Sequence, residues 1–141
     1  MGIFTKTITE RAKLAYIDEN TRTVKKNYKI KKPLIYIGRT KDAEICIDDK
    51  IVTKKHLKIF YKENENSYYL VDLGSTNGTK VNDVLISADK EYKLNSRDII
   101  KIADKYYYDF IYDELEEKDK EKRSGTEPVK VEDPAEKESI L

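Results

Sequence analysis

The run Asp72-Leu73-Gly74-Ser75-Thr76-Asn77-Gly78-Thr79 places hydroxyls, a side-chain amide and two glycines in one short turn. Upstream, Gly38-Arg39 ends one apolar run, and Thr53-Lys54-Lys55-His56 precedes another. These residue types suit holding a phosphate rather than making or breaking a bond. A phosphate offers two negative charges and several acceptor oxygens, so its receptor needs converging donors, at least one of them charged. Arginine is best, because its planar fork serves two oxygens at once and is always protonated. Short hydroxyls and backbone N–H groups fill the other positions, and glycines let the backbone turn and approach closely.

Catalytic readings of the same residues fail on their partners. Ser75 has no Gly-x-Ser-x-Gly elbow and no second histidine. Gly74 to Thr79 lacks the Gly-Lys-Ser/Thr ending and the following helix of a nucleotide loop. His56 is the only histidine and Cys46 the only cysteine, so no metal set is visible. Asp48-Asp49 and Asp72 read as turn and strand-end residues. The expectation is a binding module without catalysis or cofactor.

The elements that must position these residues read as short strands. Apolar and alternating runs lie at 12–17, 34–37, 44–48, 56–61, 67–72, 79–81, 91–94, 98–102 and 106–112, separated by polar turns. Asp18-Glu19-Asn20-Thr21 reads as a turn, and Glu63-Asn64-Glu65-Asn66 as a hairpin turn. About ten short strands with turns every 8–12 residues predict an all-β sandwich of ten or eleven antiparallel strands. In a sandwich, turns at one end cluster although they are distant in sequence, so three turns can build one anion site. The tyrosine-rich run 106–112 is read as core and sheet surface rather than a base-stacking platform. Cys46, within Ile45-Cys46-Ile47, is read as a small buried thiol.

Order and spacing of the three motifs resemble the forkhead-associated (FHA) domain, a β-sandwich that reads phosphothreonine. The resemblance covers roughly residues 12–112. It implies that Arg39, Thr53, Lys54 and Thr76 hold the phosphate and that Asn77 bonds the bound peptide's backbone. It makes His56 a brace for the site loops, with Gly38, Gly74, Ser75 and Gly78 supporting the site's geometry. It also implies selection by the residue three places after the phosphothreonine, through loops near 40–43, 50–52 and 82–83. Thr53 stands where the family usually has serine, and Asn82-Asp83 where it commonly has Asn-Gly. The runs 72–79, 92–94 and 98–101 are similar to the Smad nuclear-interacting-protein branch, whose members work with pre-mRNA splicing factors. That branch implies a nuclear protein; otherwise the expected place is the cytoplasm.

Charge divides the chain. Hydrophobic residues are 38% and charged residues 39% of its 141 residues, with a net charge of +1. Residues 1–112 carry 22 basic and 16 acidic side chains, whereas 113–141 carry 6 and 11. The expected organisation is a flexible arm (1–10), a folded domain (11–112) and an acidic, disordered tail (113–141). No membrane-length apolar run or secretory signal is present. The expected partner is a phosphothreonine-containing protein bound by a monomer, with tail-mediated association through Thr126 disfavoured. Direct nucleic-acid binding is not expected, because the tyrosines sit mostly within apolar runs. A small basic β-barrel binding single-stranded nucleic acid remains the alternative, as does a phosphate-independent docking scaffold. The first would show aromatics interleaved with lysines on one exposed sheet face.

Overall fold

A computed structural model describes residues 12–113. The expected arm and all of the expected tail beyond Asp113 lie outside the described residues. The strands are β1 (Ala12–Ile17), β2 (Val24–Lys29), β3 (Leu34–Gly38), β4 (Ile45–Cys46), β5 (Leu57–Lys62), β6 (Ser67–Asp72), β7 (Thr79–Val81), β8 (Val84–Leu85), β9 (Tyr92–Lys93), β10 (Ile99–Ile102) and β11 (Tyr106–Tyr112). They form a six-stranded sheet, β2-β1-β11-β10-β7-β8, and a five-stranded sheet, β4-β3-β5-β6-β9. The expected all-β fold is therefore present. One pairing departs from the antiparallel expectation: β4 runs parallel to β3, pairing Ile37 with Ile45 and Gly38 with Cys46.

Period-two patterning builds the core. Leu14, Ile37, Leu57, Ile59, Leu70, Ile100, Ile102 and Phe110 point between the sheets and are sealed from solvent. Tyr68 joins them, with its ring edge-on to those of Phe110 and Tyr112. Each such side chain contributes about 1.5–3 kcal/mol through burial. In β11, Tyr107, Tyr108, Phe110 and Tyr112 are buried, so this strand serves the core and sheet surface as expected. Cys46 does not. Ile45 and Ile47 take the inward positions, which turns Cys46 outward, where its thiol is exposed and donates to the Arg39 carbonyl (3.4 Å).

Local chemistry sets the turns. The Asp18 carboxylate accepts the N–H groups of Asn20 and Thr21 (3.0 and 2.9 Å). At Glu63–Glu65 the expected hairpin turn is a 3-10 turn, and Asn66 leaves it in the left-handed region (φ 52°). Asn82 and Asp83 both have positive φ (53° and 69°), the conformation a tight two-residue hairpin needs between β7 and β8. Among the described residues, no helix is long and apolar enough to cross a membrane.

Candidate functional site

Arg39 leaves the end of β3 immediately after Gly38. That glycine lies so close to the neighbouring loop that a Cβ would sit 2.1 Å from the Lys54 carbonyl oxygen. The close approach lets the Arg39 N–H reach the carbonyls of Thr53 and Lys54 (3.2 and 3.1 Å). The base of the arginine is thereby fixed to the loop that carries the second motif.

His56 precedes β5 and is fully buried. Its Nδ1 accepts the Thr53 N–H (3.1 Å), so Nε2 carries the proton and donates to the Gly78 carbonyl (2.9 Å). One imidazole thus ties the loop before β5 to the loop after β6. Burial pushes its pKa below the usual histidine value, which keeps the ring neutral.

Asp72 organises the third motif. The carboxylate is buried, 3% exposed, and accepts the N–H groups of Gly74 and Ser75 (2.9 and 2.8 Å). It also accepts the hydroxyls of Ser75 and Thr79 (2.6 Å each). Burial alone would raise this carboxyl; the donors of Ser75, Thr79 and Gly74 outweigh it and hold the pKa below the usual value. Ser75 Oγ in turn accepts the Gly78 N–H (3.0 Å). Gly74 and Gly78 sit at φ +82° and +81°, in the region that favours glycine. From sequence Asp72 reads as a strand end only. The signal of its larger part was legible: an aspartate followed at two and three positions by Gly and Ser is the pattern of a side chain that closes its own turn.

The two loops then meet. Thr76 N–H donates to Thr53 Oγ1 (3.0 Å), which leaves the Thr53 hydroxyl proton free to point outward. Asn77 Nδ2 donates to the Ile51 carbonyl (2.7 Å). Asp49 stakes the far end of the same loop, accepting Ile51 N–H (3.1 Å), the Tyr106 hydroxyl (2.6 Å) and the Lys105 ammonium (3.1 Å). The Tyr106 hydroxyl first, then the Ile51 N–H, hold the Asp49 carboxyl down at about 2.

The result is one concavity of about 330 Å³ lined by Arg39, Lys50, Val52, Thr53, Lys54, Thr76 and Asn77. Arg39, Thr53, Lys54, Thr76 and Asn77, named from sequence, are therefore neighbours. Gly38, His56, Gly74, Ser75 and Gly78 lie behind them in the frame just described. Lys50 joins the lining, with Val52 as a buried apolar floor. Lys55 turns away, its ammonium over the Tyr36 ring (5.1 Å). Three cations and two hydroxyls face one hollow with no carboxylate in its lining, which suits a small polyanion.

Residues 35–103 match the family model described as FHA domain. The probable E3 ubiquitin-protein ligase dma1 of Schizosaccharomyces pombe is 32% identical over 83 residues, covering 51% of this chain and 30% of that protein. The chain spans 30% or less of the length of the curated relatives it matches. A solved structure from work on phosphothreonine-dependent FHA domain interactions superposes with a TM-score of 0.58 at 27% identity, covering 72% of this chain and 95% of that one. The yeast splicing factor Pml1 shares the fold, with a TM-score of 0.66 at 23% identity, covering 72% of this chain and 78% of that one.

Proposed function

We propose that this chain is an FHA-type phosphothreonine-binding module that uses the hollow between its three site loops to dock a phosphorylated segment of a partner protein, without catalysis. The observation that carries this reading is the convergence of Arg39, Thr53, Lys54 and Thr76 on one 330 Å³ hollow lined by no acid. The Arg39 guanidinium takes two phosphate oxygens, the Thr53 hydroxyl donates to a third, and Lys54 and Thr76 close the cradle. Lys50 adds a cation at the rim. Asn77, held by the Ile51 carbonyl, presents its Oδ1 to a backbone N–H of the docked peptide.

Magnitudes favour modest affinity. Charge-assisted hydrogen bonds contribute about 1.5–3 kcal/mol each, and association costs at least about 4 kcal/mol. A short phosphopeptide then binds at around micromolar strength, roughly −8 kcal/mol. The decisive measurement is calorimetric titration with a phosphothreonine peptide, its unphosphorylated twin, and both again on Arg39→Ala. The parent is expected to prefer the phosphorylated form strongly. Arg39→Ala is expected to lose at least about tenfold, the worth of one charge-assisted bond. Equal binding by parent and variant sinks the assigned site.

A nuclear, splicing-associated setting is supported by the similarity of runs 72–79, 92–94 and 98–101 to the Smad nuclear-interacting-protein branch and by the shared fold with Pml1. Affinity capture separates this from other pathways: splicing proteins held by the parent and lost with Arg39→Ala support it, and their absence counts against it.

A further inference from the structure

The outer face of the five-stranded sheet carries rings and lysines in an ordered pattern. Cross-strand pairing places Phe60 opposite both Leu34 and Tyr69, and Tyr69 opposite Lys93. The neighbouring row sets Tyr36 opposite Lys58, and Lys58 opposite Val71. Directly opposed residues share a face, so Leu34, Phe60, Tyr69 and Lys93 form one row, with Tyr36 and Lys58 in the next. Phe60 and Tyr69 stack, with centroids 5.9 Å apart and planes 24° apart. Each ring has an ammonium over it: Lys55 over Tyr36 (5.1 Å), Lys58 over Phe60 (5.6 Å) and Lys62 over Tyr69 (4.2 Å).

This is the arrangement that alternating apolar and polar residues conceal in a linear sequence: tyrosines within apolar runs, yet on the outward side of their strands. Acids lie at its margins. Glu91 holds Lys62 (2.7 Å), Glu65 accepts the Tyr69 hydroxyl, and Asp42 shares a small hollow with Tyr36 and Lys55. Among the described residues, Lys58, in the middle of its row, and Lys93, on the edge strand at the end of the other, form no ion pair with a carboxylate.

We propose that this face binds single-stranded nucleic acid, separately from the phosphothreonine hollow. Bases stack on the Phe60, Tyr69 and Tyr36 rings, and the lysines that lie over those rings move to the phosphates. Aromatic rings give sequence-tolerant stacking, and lysines follow the backbone. A duplex keeps its base faces internal, so the rings gain nothing from it. An acidic peptide would satisfy the lysines but would leave the rings without a π partner.

The test is fluorescence anisotropy on the full chain with labelled oligo-dT and oligo-U of about 12 nucleotides, within the span one small β domain covers, at two salt concentrations. Binding is expected to weaken with salt at a log–log slope of about −2 to −3, from three or four neutralised phosphates. The double variant Lys58→Glu/Lys93→Glu is expected to lose at least about tenfold while keeping phosphopeptide affinity. Phe60→Leu/Tyr69→Leu, which keeps apolar bulk, is expected to lose about fivefold or more through stacking. Arg39→Ala is expected to leave oligonucleotide binding unchanged. The proposal is overturned by oligonucleotide binding that the lysine reversals leave intact, or by binding that Arg39→Ala abolishes, which would place it in the hollow. Equal affinity for duplex, or equal competition by polyglutamate, overturns it as well.

Discussion

Gly38 has no room for a side chain, because the Lys54 carbonyl oxygen would stand 2.1 Å from its Cβ. Both atoms are backbone or backbone-anchored, so relief requires the two strand ends to part. Gly38→Ala is therefore expected to cost about 2 kcal/mol or more, in the range of overpacked cores, and to abolish phosphopeptide binding; denaturant unfolding and titration read the two effects. At His56, the same burial that fixes the tautomer makes protonation costly. Its folded pKa lies below the unfolded value, so below about pH 6.5 the unfolded chain takes up the proton first and stability falls with pH. Above that value both states are neutral and the histidine contributes no pH dependence. A protonated Nδ1 also cannot accept the Thr53 N–H. The unliganded protein is expected to lose thermal stability between pH 7 and 5. The free domain is the right sample, because the phosphate itself titrates near pH 6.

At the scale of elements, the loop from Ile47 to His56 is held at two points. The Asp49–Tyr106 bond fixes its start, and the His56–Thr53 bond fixes its end. Tyr106→Phe removes one hydroxyl and keeps the ring. It is expected to lower phosphopeptide affinity about three- to tenfold while changing stability by about 1 kcal/mol, the net worth of one hydrogen bond; titration paired with unfolding checks both. Asp49 adds a pH limit of its own. Its carboxyl sits at about 2, below the ordinary value of 3.8, so its anchoring is complete above about pH 4 and is lost as pH falls toward 2. Strands whose side chains alternate between core and solvent were legible from sequence. Two strands were not. In β2 residues 24–27 are exposed, and in β8 Val84 and Leu85 are each 64% exposed. Neither carries a burial pattern, because each is an edge strand joined to its sheet by backbone bonds to β1 and β7.

At the scale of the molecule, the two sheets are joined by side chains rather than by backbone. Phe110 lies at the middle of that seam, fully buried against Tyr68 (ring centroids 5.7 Å apart) and Tyr112. Phe110→Ala is expected to cost about 3–5 kcal/mol through lost burial and the cavity left behind. Equilibrium unfolding checks the loss. Binding is expected to fall with it, since Arg39 comes from one sheet, while the loop of Thr76 and Asn77 bridges from β6 in that sheet to β7 in the other.

The sequence was enough for the class of the fold and, with the family resemblance, for naming five of the residues that line the hollow. Period-two patterning fixes strand faces, and Gly-Arg, Thr-Lys-Lys-His and Ser-Thr-Asn-Gly-Thr are local words whose chemistry can be read without coordinates. Tertiary structure decided what depends on partners far along the chain. Asp72 became the hub of the third loop because the fold buried it among donors. Cys46 turned outward because its two isoleucine neighbours claimed the interior. Tyr36 and Tyr69 met Lys55 and Lys62 only once β3, β5 and β6 were laid side by side. Pairing register and burial are properties of several segments at once, and no single stretch of sequence carries them.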